Sequence, residues 1–326
     1  MLKTELDKYV TLFNNELDTY LHDGNPKKLY DASKHLPFAG GKRLRPCITM
    51  LSCESLSGDN TKAIPYAAAL ELLHNFTLVH DDIMDNSNLR RNIPTVHVQY
   101  GEPTAILAGD YLFAKSFEAA HKLNIPSETF KQLDYELIEC IKDICRGQQL
   151  DMEFEKRMDV TESEYIDMIQ KKTAVLFRLS SRGGAIIGGG NTDEIAAFTS
   201  YGLNLGLGFQ IWDDYLDLSS DEETLGKDIG NDIRNGKKTL IAVNALENAT
   251  SDQKSILTKS LGNNKATDDD IKETLQLFRD IQSIDYAKNK AIEYSNKAKT
   301  QLELITDSPA KQLLIKLADY SIQREK

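Results

Sequence analysis

Helical periodicity runs through this chain almost without interruption, and it constrains the fold more than any other feature. Apolar residues recur at three- and four-residue intervals in stretches such as Tyr66-Ala67-Ala68-Ala69-Leu70-Glu71-Leu72-Leu73-His74 and Leu133-Asp134-Tyr135-Glu136-Leu137-Ile138. Clean strand alternation bounded by hairpin turns is not seen. Turn residues fall between the helical stretches, at Ser57-Gly58-Asp59-Asn60, Asn124-Ile125-Pro126-Ser127 and Gly188-Gly189-Gly190-Asn191, and read as helix–helix connections. Thr161-Glu162-Ser163-Glu164 has the spacing of a capping box that starts a helix. No composition shift or Pro/Ser-rich linker divides the 326 residues. The expectation is one all-α domain over residues 1–326, with polar C-terminal helices that carry no chemistry.

Within that pattern lie two aspartate pentads, Asp81-Asp82-Ile83-Met84-Asp85 and Asp213-Asp214-Tyr215-Leu216-Asp217. Residues four apart stand nearly above one another on a helix. Asp81 and Asp85 therefore share a face, with His74 and Leu78 further back along it, and Asp82 is turned to the flank. Asp213 and Asp217 repeat the arrangement above Phe209, Gly206 and Gly202, and a face bare of side chains at two positions can bound a cavity. Like charges at this spacing cost a few tenths of a kcal/mol per pair, so two such sets call for a cation. Carboxylate oxygens without His or Cys suit Mg²⁺, which commonly bridges to substrate phosphates. A single such pentad is as easily a solvated helix end; two copies in apolar surroundings are not. Neither has the loop glycine of a calcium-binding EF-hand.

A metal-held phosphate also needs basic partners. Arg90 and Arg91 follow the first pentad, and Lys227, Lys237 and Lys238 follow the second in a glycine-bearing loop. A third group is Gly40-Gly41-Lys42-Arg43-Leu44-Arg45-Pro46, where the glycines break a helix just before a basic turn and Lys42 and Arg45 are spaced to share a helical face. Helix N-termini favour anions. The net charge of −11 argues against a nucleic-acid partner but not against small anionic substrates near local basic clusters. Cys47, Cys53, Cys140 and Cys145 show no CxxC pairing, so reduced thiols in a cytoplasmic protein are expected. The N-terminus lacks a signal-peptide run, and no stretch approaches the roughly 20 apolar residues of a membrane span.

The ordered set of Gly-Gly-Lys-Arg-Leu-Arg-Pro, Val-His-Asp-Asp-Ile-Met-Asp with Arg-Arg after it, Phe-Gln-Ile-Trp-Asp-Asp-Tyr-Leu-Asp and a glycine–lysine loop covers residues 40 to 239. As a set it resembles the trans-isoprenyl diphosphate synthases, most of all the archaeal-type geranylgeranyl and farnesyl enzymes. The resemblance implies the all-α isoprenoid-synthase helical bundle around a central cavity, usually in a homodimer. It implies a Mg²⁺-dependent prenyltransferase, with three ions and with Mn²⁺ able to substitute, that condenses isopentenyl diphosphate with an allylic diphosphate (dimethylallyl, geranyl or farnesyl) and releases pyrophosphate. By position, the metal-binding carboxylates would be Asp81, Asp85, Asp82, Asp213 and Asp217. Of these, Asp81 and Asp85 would hold two ions and Asp213 a third, with Asp82, Asp217 and Asp214 in supporting or water-mediated roles. Lys42, Arg45, His74 and Arg91 would hold isopentenyl diphosphate. Arg90, Lys172, Gln210, Lys227 and Lys237 would hold the allylic diphosphate, and Lys172, Thr173 and Gln210 would face the developing cation. Gln148, beside Gly147, matches another family position near the site.

Family experience also assigns product length to the residues four and five before the first pentad, here Thr77 and Phe76. A bulky Phe76 would close the tunnel and stop growth at geranylgeranyl diphosphate (C20), with farnesyl diphosphate (C15) as the close competitor. The helical wheel itself puts Thr77 beneath Asp81 and turns Phe76 away from it. A terpene cyclase would lack the second pentad and the Lys42–Arg45 motif, a non-catalytic synthase subunit would have lost aspartates, and a two-metal phosphatase needs a water-activating arrangement not found here.

Overall fold

The structure, a computed structural model, describes residues 2–219 and 228–324. Among them are sixteen α-helices and one two-stranded ribbon. The helices are α1 (Leu2–Tyr20), α2 (Lys27–Phe38), α3 (Leu44–Ser57), α4 (Ile64–Met84), α5 (Val96–Tyr100), α6 (Glu102–Ala120), α7 (Ser127–Phe154) and α8 (Glu162–Ile169). They continue with α9 (Val175–Ile187), α10 (Thr192–Ser219), α11 (Asp228–Asn235), α12 (Leu240–Asn248), α13 (Ser251–Ser260), α14 (Asp268–Asp280), α15 (Ser283–Gln301) and α16 (Pro309–Ser321). The all-α expectation holds, and the three expected connections fall between α3 and α4, α6 and α7, and α9 and α10. The Thr161 capping box is formed: Glu164 N–H donates to the Thr161 hydroxyl, and Thr161 N–H donates to the Glu164 carboxylate.

The chain divides into two compact units. The first comprises residues 1–136, 179–199 and 304–314. Its centre is α4, buried at every position from Tyr66 to Leu73, as expected of a helix enclosed on all sides. Helix α6 packs along α4, and α9 meets α3 and α4 through glycines. A Cβ at Gly183 would overlap the Tyr66 ring, and one at Gly184 would strike the Thr49 carbonyl.

The ribbon, β1 (Leu89–Arg90) with β2 (Ile93–Pro94), escaped the sequence reading. Its two-residue loop, Arg91-Asn92, has φ of 53° and 63°, the geometry of a type I′ turn. Asn-Gly normally signals such a turn, and Arg91 gives no such signal.

The second unit comprises residues 137–178, 200–303 and 315–326. Its core is built from α8, α10 and α12 to α15, with Ile211, Leu240, Ile241, Val243, Leu257 and Phe278 buried together. Between α8 and α9 the helix widens by one π-type turn, Gln170–Ala174, in which Val175 N–H donates to the Gln170 carbonyl five residues back. Two glycines make room for it. A Cβ at Gly147 of α7 would lie 2.3 Å from the Lys172 backbone nitrogen, and one at Gly206 of α10 would lie 2.6 Å from Ala174 Cα. The small residue at 206 therefore admits a neighbouring backbone, which corrects the expectation that it bounds open space.

Candidate active site

Each pentad ends its helix. Asp81 and Asp82 lie in the last turn of α4 and Asp85 is its C-cap, while Asp213, Asp214 and Asp217 lie in the last turns of α10. Neither last turn contains a basic residue. A helix C-terminus already carries partial negative charge, so carboxylates there add unfavourable energy. An external cation relieves both charges at once.

Within each pentad the middle aspartate is set apart. In the first unit Asp82 is buried, and Arg90 Nε donates to its Oδ1 at 2.7 Å. Burial outweighs the pull of Arg90 and holds this carboxyl above its usual range. Its other oxygen is buried and accepts no hydrogen bond. Asp85, by contrast, is exposed and Asp81 partly so. In the second unit Asp214 accepts from the Tyr165 hydroxyl at 2.6 Å and from Gln210 Nε2 at 2.9 Å. Removal from water pushes its carboxyl up to about 7, against those two bonds, which lower it. Because Gln210 spends its amide N–H on Asp214, its oxygen accepts from Thr173 Oγ1 at 2.9 Å, so donors converge on Asp214 from Thr173 through Gln210 on one side and from Tyr165 on the other. Asp217 is exposed.

The basic residues of the first unit separate by role. Helix α3 begins at Leu44, with Arg43 at its N-cap in the left-handed region at φ 49°. Gly40 and Gly41 have φ of 95° and 135°, values no helix accommodates. Lys42 is therefore exposed in a non-helical segment and does not share a helical face with Arg45, a correction to the spacing argument. Arg43 is buried: Nη1 donates to Glu71 at 2.6 Å and Nε to Asn14 at 3.1 Å. It is a structural ion pair that only one position separates from Lys42.

Arg45, in the first turn of α3, directs Nη1 at His74 Nε2, 3.1 Å away. A guanidinium can only donate, so His74 accepts and is neutral. Burial, then the nearby charges of Arg45, Arg91, Arg90 and Arg43, hold the imidazole well below its ordinary pKa. The I′ turn splits the paired arginines. Arg90 turns to Asp82, while Arg91 donates to the Leu36 carbonyl at 3.1 Å and to that of Gly40. A Cβ at Gly41 would meet the Arg91 guanidinium carbon at 3.1 Å, which explains the second glycine of the motif.

Phe76 packs its ring on His80 at 4.9 Å and on Phe113 of α6 at 5.2 Å, and Phe113 continues to Phe117. Thr77 turns its hydroxyl back to the His74 carbonyl at 2.8 Å. In the second unit, Lys172 and Lys237 both reach Asp151 Oδ2, at 2.7 Å and 3.0 Å. Lys227 lies outside the described residues.

The donor chemistry of the outer carboxylates fits a hard divalent cation. Among the described residues no three His, Cys, Asp or Glu side chains converge on a metal-sized site. A hard cation held there would take the rest of its shell from water or a phosphate-bearing ligand.

Residues 26–278 match the family model for polyprenyl synthetase. The chain belongs to that family. The geranylgeranyl diphosphate synthase of Saccharolobus solfataricus is 49% identical over 306 residues, 93% of this chain and 92% of its own. The short chain isoprenyl diphosphate synthase of Methanothermobacter thermautotrophicus is 45% identical over 320 residues, 98% of each. A crystal structure of geranylgeranyl pyrophosphate synthetase from Pyrococcus horikoshii superimposes with a TM-score of 0.94 at 42% identity, covering 99% of this chain and 98% of its own. Like other polyprenyl synthetases, this chain is a prenyltransferase, of a family that works on isopentenyl and allylic diphosphates with divalent metal ions.

For a polyprenyl synthetase, sequence reasoning passed over several residues that shape the site. Asp151 and Tyr165 are buried polar partners of residues it had chosen. At the C-terminal end, expected to carry no chemistry, Arg324 pairs with Asp213 and lies 3.8 Å from the centre of the Phe209 ring. The Gly147-x₃-Asp151 spacing was a usable signal for the first of these. Nothing local to Arg324 announces its partner more than a hundred residues away.

Proposed function

We propose that this polyprenyl synthetase makes geranylgeranyl diphosphate by adding isopentenyl diphosphate to shorter allylic diphosphates, with Mg²⁺ held by Asp81 and Asp85 and by Asp213. The observation that carries the reading is the shared division of labour in the two pentads. In each, the middle aspartate is taken up by the protein, by Arg90 or by Tyr165 and Gln210, and the outer pair stands at the end of a helix whose own last turn has no basic residue, although Arg324 reaches Asp213 from the C-terminal end. Asp82 and Asp214 thus support the site, while Asp217 assists at the second pentad.

Lys42, Arg45, Arg91 and neutral His74 serve the isopentenyl diphosphate. Lys172, Lys237, Arg90 and Lys227 serve the allylic one. Mg²⁺, when bound by these carboxylates, would supply charge neutralisation for the departing diphosphate. As the allylic C–O bond breaks, negative charge grows on the leaving group, so fixed lysines and arginines stabilise the transition state more than the ground state. The isopentenyl double bond attacks the allylic cation, and the proton lost afterwards passes to pyrophosphate. The Thr173 and Gln210 oxygens, held by Asp214 and Tyr165, face the cation. Gln148 lies next to Gly147 on the same helix.

The C20 product is supported by the Phe76–Phe113–Phe117 aromatic series along α4 and α6 and by the name of the Saccharolobus relative. The near-full-length match to the relatives supports reading residues 1–326 as one synthetase domain made of the two compact units. We infer a homodimer from the exposed Ile106 and Leu107 of α6, and cytoplasmic work from the four unlinked thiols.

Purified chain incubated with Mg²⁺, isopentenyl diphosphate and each allylic diphosphate should give C20 as the main product by chromatography, and Phe76→Ala should lengthen it. No elongation from any primer would remove the synthase reading; an unchanged product distribution in the variant would remove Phe76 as the stop.

A further inference from the structure

Helix α7 carries Gly147 and Asp151 one turn apart, with Glu155 a turn further along at its end. This one stripe receives both Lys172 and Lys237. At Gly147 the π-type turn comes so close that a Cβ would lie 2.3 Å from the Lys172 backbone nitrogen. One turn on, Lys172 Nζ meets Asp151 Oδ2 at 2.7 Å. From the other side the loop after α11 presses in: a Cβ at Gly236 would lie 2.6 Å from the Glu155 carbonyl, and Lys238 Nζ donates to that carbonyl at 3.2 Å. Lys237 Nζ then reaches the same Asp151 oxygen at 3.0 Å and Glu155 Oε1 at 3.0 Å. Asp151 itself is only 7% exposed.

A carboxylate beside an anion site is at first sight counterproductive, because its charge repels the ligand. Two ammonium groups packed together repel each other as well, and flexible lysine stems would let them separate into water. A shared, buried oxygen counters that repulsion and confines both nitrogens to one spot. The lysines also keep the Asp151 carboxyl ionised: burial raises its pKa, but the two ammonium groups together more than reverse this.

We propose that Asp151 is a positioning residue that sets Lys172 and Lys237 as a single clamp for the allylic diphosphate. The inference rests on the assignment of those lysines to that substrate. Charge and position have opposite signs here, which makes the idea decidable. If Asp151 contributed only local charge, its neutralisation would tighten anion binding. If it holds the clamp, neutralisation weakens binding, because misplacing a ligand-holding group by about 1 Å costs one to two orders of magnitude.

The test compares steady-state kinetics of Asp151→Asn, Asp151→Glu, the Lys172→Met/Lys237→Met double variant and the combination of that double variant with Asp151→Asn, each checked for helical content by circular dichroism. In Asp151→Asn the KM for the allylic diphosphate should rise about tenfold or more while that for isopentenyl diphosphate stays within about twofold. Asp151→Glu, which restores the charge one methylene away, should recover part of the loss; it also carries the test if the Asn variant does not fold. Added to the lysine double variant, Asp151→Asn should change the allylic KM no further. An allylic KM that is unchanged or lower in Asp151→Asn, or unchanged in Asp151→Glu, overturns the clamp while leaving the lysine assignment intact. If the lysine double variant binds the allylic substrate normally, the assignment fails and the clamp with it.

Discussion

His74 shows how one side chain's charge state is set by its neighbours. The sequence places this histidine on the face of Asp81, and the family resemblance groups it with Lys42, Arg45 and Arg91. The structure gives it a guanidinium as hydrogen-bond donor and removes it from water, so it is a neutral acceptor that orients Arg45. The consequence for stability is signed. In the unfolded chain a histidine takes up its proton near pH 6.5, whereas in the folded chain His74 resists it to well below that value. Below about pH 6.5 the unfolded state therefore binds more protons, so stability is full above that pH and falls as pH drops beneath it. Thermal unfolding between pH 7.5 and 5.5 should show a shallower loss for His74→Gln than for the parent chain; parallel curves would contradict the buried, neutral imidazole. At this scale the sequence was most informative about residue type. It named Arg43 and Asp214 within their motifs, but not the partners that hold them, since Glu71 and Tyr165 come from distant segments.

Elements were legible where local chemistry governs them. The Thr161 capping box and the glycine-bearing connections needed nothing beyond neighbouring residues. The misses are elements imposed by tertiary packing. The helix at Leu44 starts two residues after Lys42 because Gly40, Gly41 and Arg43 take backbone angles closed to a helix, and the Arg91 guanidinium rests on Gly41. The I′ turn uses Arg91-Asn92, at a cost of about 1–2 kcal/mol for non-glycine residues in the left-handed region. The π-type turn depends on Gly147 and Gly206, whose value lies in what a Cβ would strike. Gly147→Ala should accordingly lower stability by about 1–3 kcal/mol through forced backbone displacement, read as a lower urea midpoint with the slope unchanged. An unaltered midpoint would show that the π-type turn can shift at no cost.

For the molecule as a whole, each compact unit supplies one helix that ends in an aspartate pentad, together with its own basic residues. The sequence shows that repetition only as two similar pentads. The protein already answers part of the negative charge with Arg90 and Arg324, which pair with Asp82 and Asp213. The central claim is that the outer aspartates carry the divalent metal on which diphosphate departure depends. The most direct measurement is the rate of pyrophosphate release at saturating substrates by Asp81→Ala and Asp213→Ala, with the helical content of each variant verified. Loss of electrostatic stabilisation at a developing charge typically costs about two to three orders of magnitude or more, and that loss is the expected result for Asp81→Ala and for Asp213→Ala alike. Near-normal release by either folded variant would contradict the claim.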